Sequence, residues 1–232
     1  MKQVISMIFW DDKSLLFATG LPLAVIGKLL AKDQSEEQLQ QELVSIGQTF
    51  LDRYLTMKEY RSLMRNREQK LPIIILLTGL PAVGKSALAK ELSVAFDIAL
   101  VIGGDAFRSA FRSFLPRDAG NKAFFTSIYD SWKVFGEYNK ENALKGFQAQ
   151  AKVMNSAVQY VIADRGLRDG ESMIFEYLHF LPSQFDSELL THPSVIPIIL
   201  RINNLTVYEE RITQRNNFSH LKSPGDRLLA QR

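Results

Sequence analysis

The eight residues Gly79-Leu80-Pro81-Ala82-Val83-Gly84-Lys85-Ser86 spell G-x-x-x-x-G-K-S, the spacing at which a chain wraps a polyphosphate. Backbone N–H groups make that grip, and Gly79 and Gly84 leave them uncovered while turning through conformations that other residues avoid. A helix opening near Lys85 adds its free amides and the positive end of its dipole. The pattern predicts ATP and Mg2+ as ligands. Lys85 would reach the β- and γ-phosphates and the Ser86 hydroxyl would ligate magnesium, with Leu80, Pro81, Ala82, Val83 and Ala87 completing the nucleotide contact. Four fixed positions coincide by accident in roughly one chain of this length in a hundred.

Two carboxylates close apolar runs, Asp105 and Glu176. In a parallel sheet the strand ends nearest such a loop line the ligand crevice. There Asp105 would accept the proton of an attacking hydroxyl, and Glu176 would hold the water shell of magnesium. A helix N-cap for Asp105 and a plain surface acid for Glu176 are the structural alternatives. Arg108 and Arg112 follow Asp105 on one side of a helix and would clamp an anionic substrate through their planar forks. Arg211 and Arg215, four apart in a charged tail, would bring positive charge to the transferring phosphoryl on a mobile lid. A solvated helix face accounts for either pair equally well.

Positioning these groups takes strands that alternate with helices, an α/β arrangement of three layers around a parallel sheet. The run at 71–78 is β-branched and Leu-rich, suited to a strand buried on both faces, and 87–92 carries helix formers at helical spacing. Further strands are expected at 98–102, 172–176 and 194–202, the last interrupted by Pro197. A long helix is expected over 143–167, where Ala143, Phe147, Ala151, Met154, Val158 and Ile162 share a face, and another from Thr206. Residues 1–68 read as a small helical module and 69–232 as the phosphate-loop domain, joined by the polar stretch at 65–70. Within the module the pattern suggests a strand at 4–10, a turn at 19–22 and a helix over 23–32. A second helix opens at Ser35-Glu36-Glu37-Gln38 and carries Leu39, Leu43, Ile46, Phe50 and Tyr54, with a third over 58–67.

Composition narrows the field. With 46% hydrophobic residues in 232, the chain can bury an ordinary core. Its 28 basic and 25 acidic residues are interspersed and leave a net charge of +3, which argues against nucleic acid as a partner. The absence of cysteine excludes disulfides, thiolate metal sites and thiol catalysis, and three scattered histidines argue against zinc. The apolar opening at 1–10 runs into Asp11 and Asp12, too short for a membrane span and without a cleavage site. A soluble, cytoplasmic protein with no membrane partner is expected; the oligomeric state stays open.

With these residues in view, the chain resembles the 2-phosphoglycerate kinase family over about residues 10–215. The family's strand ending in Asp, followed by an Ile or Phe and an Arg, is similar to Asp105-Ala106-Phe107-Arg108. Its Ser-x-Tyr-x-x-Trp segment resembles Ser127 to Trp132, its Gly-Phe-x-x-Gln helix Gly146 to Gln150, and its Glu-Gly-x-His-x-x-Pro run Glu176 to Pro182. Phe17 to Leu21 resembles part of the family's N-terminal ATP-cone-like module, and Arg211 to Arg215 its lid. The resemblance implies a P-loop kinase fold and transfer of phosphate from ATP to 2-phosphoglycerate. It also implies a substrate site holding Tyr129 and Trp132 beside Asp105, Arg108 and Arg112, with Lys85, Asp105, Arg211 and Arg215 catalytic and a small phosphorylated acid as partner. Three departures stand out. Tyr177 replaces the Gly after Glu176, with a ring expected to narrow the substrate pocket; Gly103-Gly104 replaces Ser-Thr before Asp105; and no fifth strand is found after Arg215. Two other readings stay open: an ATP-binding regulator with reduced transfer, and a kinase of another phosphorylated acceptor such as an inositol phosphate.

Overall fold

A computed structural model describes residues 12–66, 68–118 and 120–218, with side chains between 15 and 214. The expected strand at 4–10 lies outside the described residues. Contacts divide the chain into two units at Lys70 and Leu71.

The first unit is helical: a 3-10 turn (Asp12–Thr19), then α1 (Leu23–Leu30), α2 (Glu36–Ile46) and α3 (Gln48–Arg65). A reciprocal cap starts α2, the Gln38 amide N–H donating to Ser35 Oγ and the Ser35 amide to Gln38 Oε1. The apolar stripe expected to run through Tyr54 in one helix instead breaks at Gly47, whose extended backbone ends α2. Phe50 and Tyr54 therefore open α3, which continues through the segment expected as a separate helix. Buried Tyr54 donates its hydroxyl to Glu36 at 2.9 Å, and Lys58 reaches the same carboxylate at 2.8 Å, tying α3 to α2.

The second unit carries β1 (Ile74–Gly79), α4 (Lys85–Ala95), β2 (Leu100–Gly103), α5 (Gly104–Phe114), α6 (Lys122–Phe125) and α7 (Lys140–Val161). It continues with β3 (Met173–Glu176), α8 (Ser187–Thr191), β4 (Val195–Leu200) and α9 (Leu205–Phe218). The strands are parallel, in the order β2-β3-β1-β4. Period-2 alternation splits the sheet into two apolar faces. Ile74, Leu76, Met173 and Phe175 meet Met154 and Val158 of α7 and Ile162 just past its end on one side. On the other, Ile75, Leu77 and Ile174 meet Ala89 of α4. That is the three-layer α/β arrangement, with β1 at its centre. Pro197 sits in β4, which closes one edge of the described sheet, where a missing N–H is tolerated. The expected helix over 143–167 starts earlier and finishes in a π-helical turn (Ile162–Arg168). Among the described residues no helix is long and apolar enough to cross a membrane.

Candidate active site

Strand β1 delivers the chain into a loop with three left-handed or positive-φ residues, Gly79 (φ 141°), Ala82 (φ 65°) and Gly84 (φ 102°). Ala82 is the informative one: an L side chain held there stores strain, and strain of this kind collects at ligand-gripping backbone. Gly79 has no room for more than hydrogen, since a Cβ would stand 3.1 Å from Val83 Cγ2 and 3.3 Å from the Leu200 carbonyl carbon. Helix α4 begins at Lys85 without a side-chain cap, so its first amides face the loop's interior. Lys85 folds back, its Nζ donating to the carbonyls of Gly79 and Leu80 at 2.9 Å each. A cradle of amides beside an ammonium group fits the phosphates of a nucleotide.

Register aligns the other strand ends with this loop. Glu176 pairs with Leu77 on one side and with Gly103 on the other, and Gly79 pairs with Leu200. Half-buried Glu176 therefore ends the strand between β1 and β2, and exposed Asp105 follows Gly103 in the first turn of α5. Lys85, Ser86, Asp105 and Glu176 share the carboxyl edge of the sheet. Among the described residues no group of three or more His, Asp or Glu is placed to hold a metal ion. One hydroxyl and one carboxylate suit magnesium, which keeps several waters and leans on phosphate oxygens.

Helix α9 is seated on the loop. Tyr208 and Ile212, 8% and 2% exposed, pack on Val83 with Ala82, Leu200 and Ile202 around them. This places Arg211 over Gly84, with Nη1 3.8 Å from the point a Cβ would occupy there. Arg215 belongs to the same helix; its side chain lies outside the described residues.

Arg108 and Arg112 converge, but on the protein's own backbone. Arg108 Nη2 donates to the carbonyls of Phe124 (3.1 Å) and Thr126 (2.5 Å), while Arg112 gives Nε to Phe124 (2.9 Å) and Nη2 to Thr126 (2.6 Å). Both guanidinium groups lie over the Phe124 ring, at 5.5 and 5.9 Å. Arg108 is 8% exposed, and its Nε has no hydrogen-bond partner among the described residues. Burial, then the neighbouring Arg112, brings the Arg108 guanidinium down to about 10, with Asp105 pulling the other way. Two cations thus share carbonyls with no salt-bridged carboxylate among the described residues, a charge arrangement suited to an anion.

Gln150 reaches the Thr126 carbonyl as well and carries His179 with it, two residues that spacing alone did not mark as functional. Gln150 donates Nε2 to the Ala123 carbonyl at 2.6 Å and its Oε1 lies 3.2 Å from His179 Nε2. A Gln oxygen only accepts, so His179 carries its proton on Nε2. Burial, then the charges of Arg108 and Arg112, pushes His179 down to about 3, so the ring is neutral at ordinary pH. Phe147 stacks on that imidazole at 5.8 Å. Gly146 is needed one residue earlier because a Cβ would meet Ser131 Oγ at 2.5 Å. The Gly-Phe-x-x-Gln pattern and the histidine of the Glu176–Pro182 run were the available signals for this framework.

Between the framework and the loop lies a cavity of about 220 Å3. Leu80 and Pro81 of the loop line it together with Tyr129, Trp132 and Phe147.

Tyr177 does not narrow this cavity. Its ring is 2% exposed and points into the core with Phe175 and Phe180, the hydroxyl 3.4 Å from Asn155 Oδ1. Burial pushes its phenol well above the usual range. Gly104 explains how it fits. A Cβ at Gly104 would stand 3.0 Å from Tyr177 Cα and closer still to its Cβ, so the missing side chain at 104 leaves the space that Tyr177 takes.

Fold and site together define a phosphotransferase built around a phosphate loop. No protein-family model matches the chain. It is 32% identical over 157 residues to the mevalonate-3-phosphate 5-kinase of Thermoplasma acidophilum, covering 68% of this chain and 75% of that protein. It is also 32% identical over 158 residues to the 2-phosphoglycerate kinase of Methanocaldococcus jannaschii, covering 68% of this chain and 50% of the relative. With the 2-phosphoglycerate kinase of Methanopyrus kandleri the figures are 26% over 201 residues, 86% and 59%. The chain belongs to the 2-phosphoglycerate kinase family of small-molecule kinases, and spans half to three-fifths of the length of these two 2-phosphoglycerate kinases.

Proposed function

We propose that this chain transfers the γ-phosphoryl group of Mg-ATP to a hydroxyl of a small phosphorylated acid, with 2-phosphoglycerate as acceptor and 2,3-bisphosphoglycerate as product. The observation that carries the reading is the alignment of the loop, Glu176 and Asp105 along one sheet edge with Arg211 over Gly84. Loop amides and Lys85 hold the β- and γ-phosphates in line with the acceptor. Asp105 takes the hydroxyl proton as the new P–O bond forms and the bond to the departing ADP oxygen breaks, its electron pair leaving with ADP. Arg211 offsets charge on the transferring group. Magnesium, leaning on Ser86 and on waters held by Glu176, would neutralise the phosphate oxygens. Arg108 and Arg112 supply the positive field for the acid's anionic groups.

The test is ADP release in the presence of magnesium with and without 2-phosphoglycerate. Stimulation by the acceptor, and its loss in Lys85→Ala, supports transfer. Nucleotide binding with no stimulation by any phosphorylated acid would overturn the transfer step and favour the regulatory alternative.

A further inference from the structure

We propose that the cavity beside the phosphate loop seats an apolar part of the acceptor, so that the preferred acceptor is a phosphorylated hydroxy acid with an alkyl-extended skeleton rather than bare glycerate. This rests on the transfer reading above and narrows its substrate.

None of the side chains lining the cavity is charged. Two of their polar atoms are bonded within the lining segment itself: Trp132 Nε1 donates to the Tyr129 carbonyl at 2.8 Å, and Ser131 Oγ to the Ile128 carbonyl at 3.1 Å. Trp132 and Tyr138 meet edge to face at 5.4 Å, and Phe147 is held flat against the neutral His179 ring, so the aromatic surfaces are fixed. A carboxylate or phosphate placed here would give up water and meet no charged side chain in return. An alkyl group would gain. The cavity has room for about seven water-sized groups at roughly 30 Å3 each. A glycerate skeleton offers three carbons, and all of them carry oxygen.

The position of the cavity decides what the alkyl group does. Leu80 and Pro81 belong to the phosphate loop itself, so a body resting on them lies beside the transferring phosphoryl. The opposite wall continues the segment whose carbonyls, at Phe124 and Thr126, gather Arg108 and Arg112. One stretch of chain thus presents cations for the acid's charged ends and an uncharged aromatic face for the remainder. An acceptor with both parts is oriented by both; a bare, multiply charged acid uses only the first.

The experiment compares 2-phosphoglycerate with its C-methyl and C-ethyl homologues, each keeping the hydroxyl, carboxylate and phosphate, by calorimetric titration and by ADP release. Affinity should rise about fourfold with each added carbon, and kcat/KM should follow. Tyr138→Ala and Leu80→Ala, both at half-exposed positions at the mouth, should flatten that slope. Affinity that is unchanged or falls with the first methyl overturns the proposal, whatever the turnover. So would a slope untouched by both variants, or variants that weaken ATP binding alone, which would assign the cavity to the nucleobase. Affinity that climbs with alkylation while no acceptor is phosphorylated would sink the transfer reading and leave the apolar seat standing.

Discussion

Gly104→Ala tests whether the bare backbone at 104 and the ring at 177 are a physical pair. The new Cβ would lie 3.0 Å from Tyr177 Cα and 3.2 Å from the Glu176 carbonyl oxygen, with Tyr177 Cβ nearer still. None of these is the end of a flexible side chain, so no rotamer change gives relief and α5 must shift against β3, at about 1–3 kcal/mol. Better helix propensity returns up to about 1 kcal/mol. Tyr177→Gly alone empties the space of a buried ring and costs about 3–5 kcal/mol on the large-to-small scale. In the double variant the closest obstruction is gone, so the second change should add little, a coupling of about 1–2 kcal/mol. Urea unfolding of the four proteins in a double-mutant cycle measures it, and the propensity gain cancels in the cycle. Additivity to within about 0.5 kcal/mol would refute the reasoning. Because Gly104 precedes Asp105, Gly104→Ala should also lower kcat more than it raises the KM for ATP.

Lys85→Ala should cut kcat by at least about 100-fold while moving the unfolding midpoint little, since the residue is half-buried and its two hydrogen bonds seen here go to loop carbonyls. Arg211→Ala should lower kcat by about 1,000-fold, and isothermal titration should find ATP affinity far less affected; a loss confined to affinity would assign Arg211 to ground-state binding. His179 titrates at about 3 in the folded chain, against an ordinary value of about 6.5 when unfolded. The unfolded state therefore takes up a proton that the folded state refuses, and stability falls as pH drops below about 6.5. The loss is about 2 kcal/mol by pH 5. His179→Gln should flatten that dependence in urea titrations at several pH values, and an unchanged slope would count against a buried neutral ring.

The loop and its strand were legible because their signals are local: fixed glycines, one lysine, and a run apolar enough to be covered on both faces. The alignment of Asp105 and Glu176 followed from their places at the ends of apolar runs. The targets of Arg108 and Arg112 did not, since Phe124 and Thr126 come near through the short helix α6 and no periodicity announces which carbonyl a guanidinium will meet. Tyr177 was misjudged for a related reason. A ring after a strand-end carboxylate can turn to the crevice or to the core, and what decided it was the vacancy at Gly104, in a different element. Gly47 was passed over because the apolar spacing continues across it, although a glycine there lets one helix end and the next begin.

Tyr208 and Ile212 fasten α9 directly to Val83. That packing couples loop and helix, so a displacement at Ala82 would be passed to the helix that carries Arg211. Under the proposed function, loosening that one apolar contact would slacken the grip on the triphosphate and withdraw its counter-charge in the same movement.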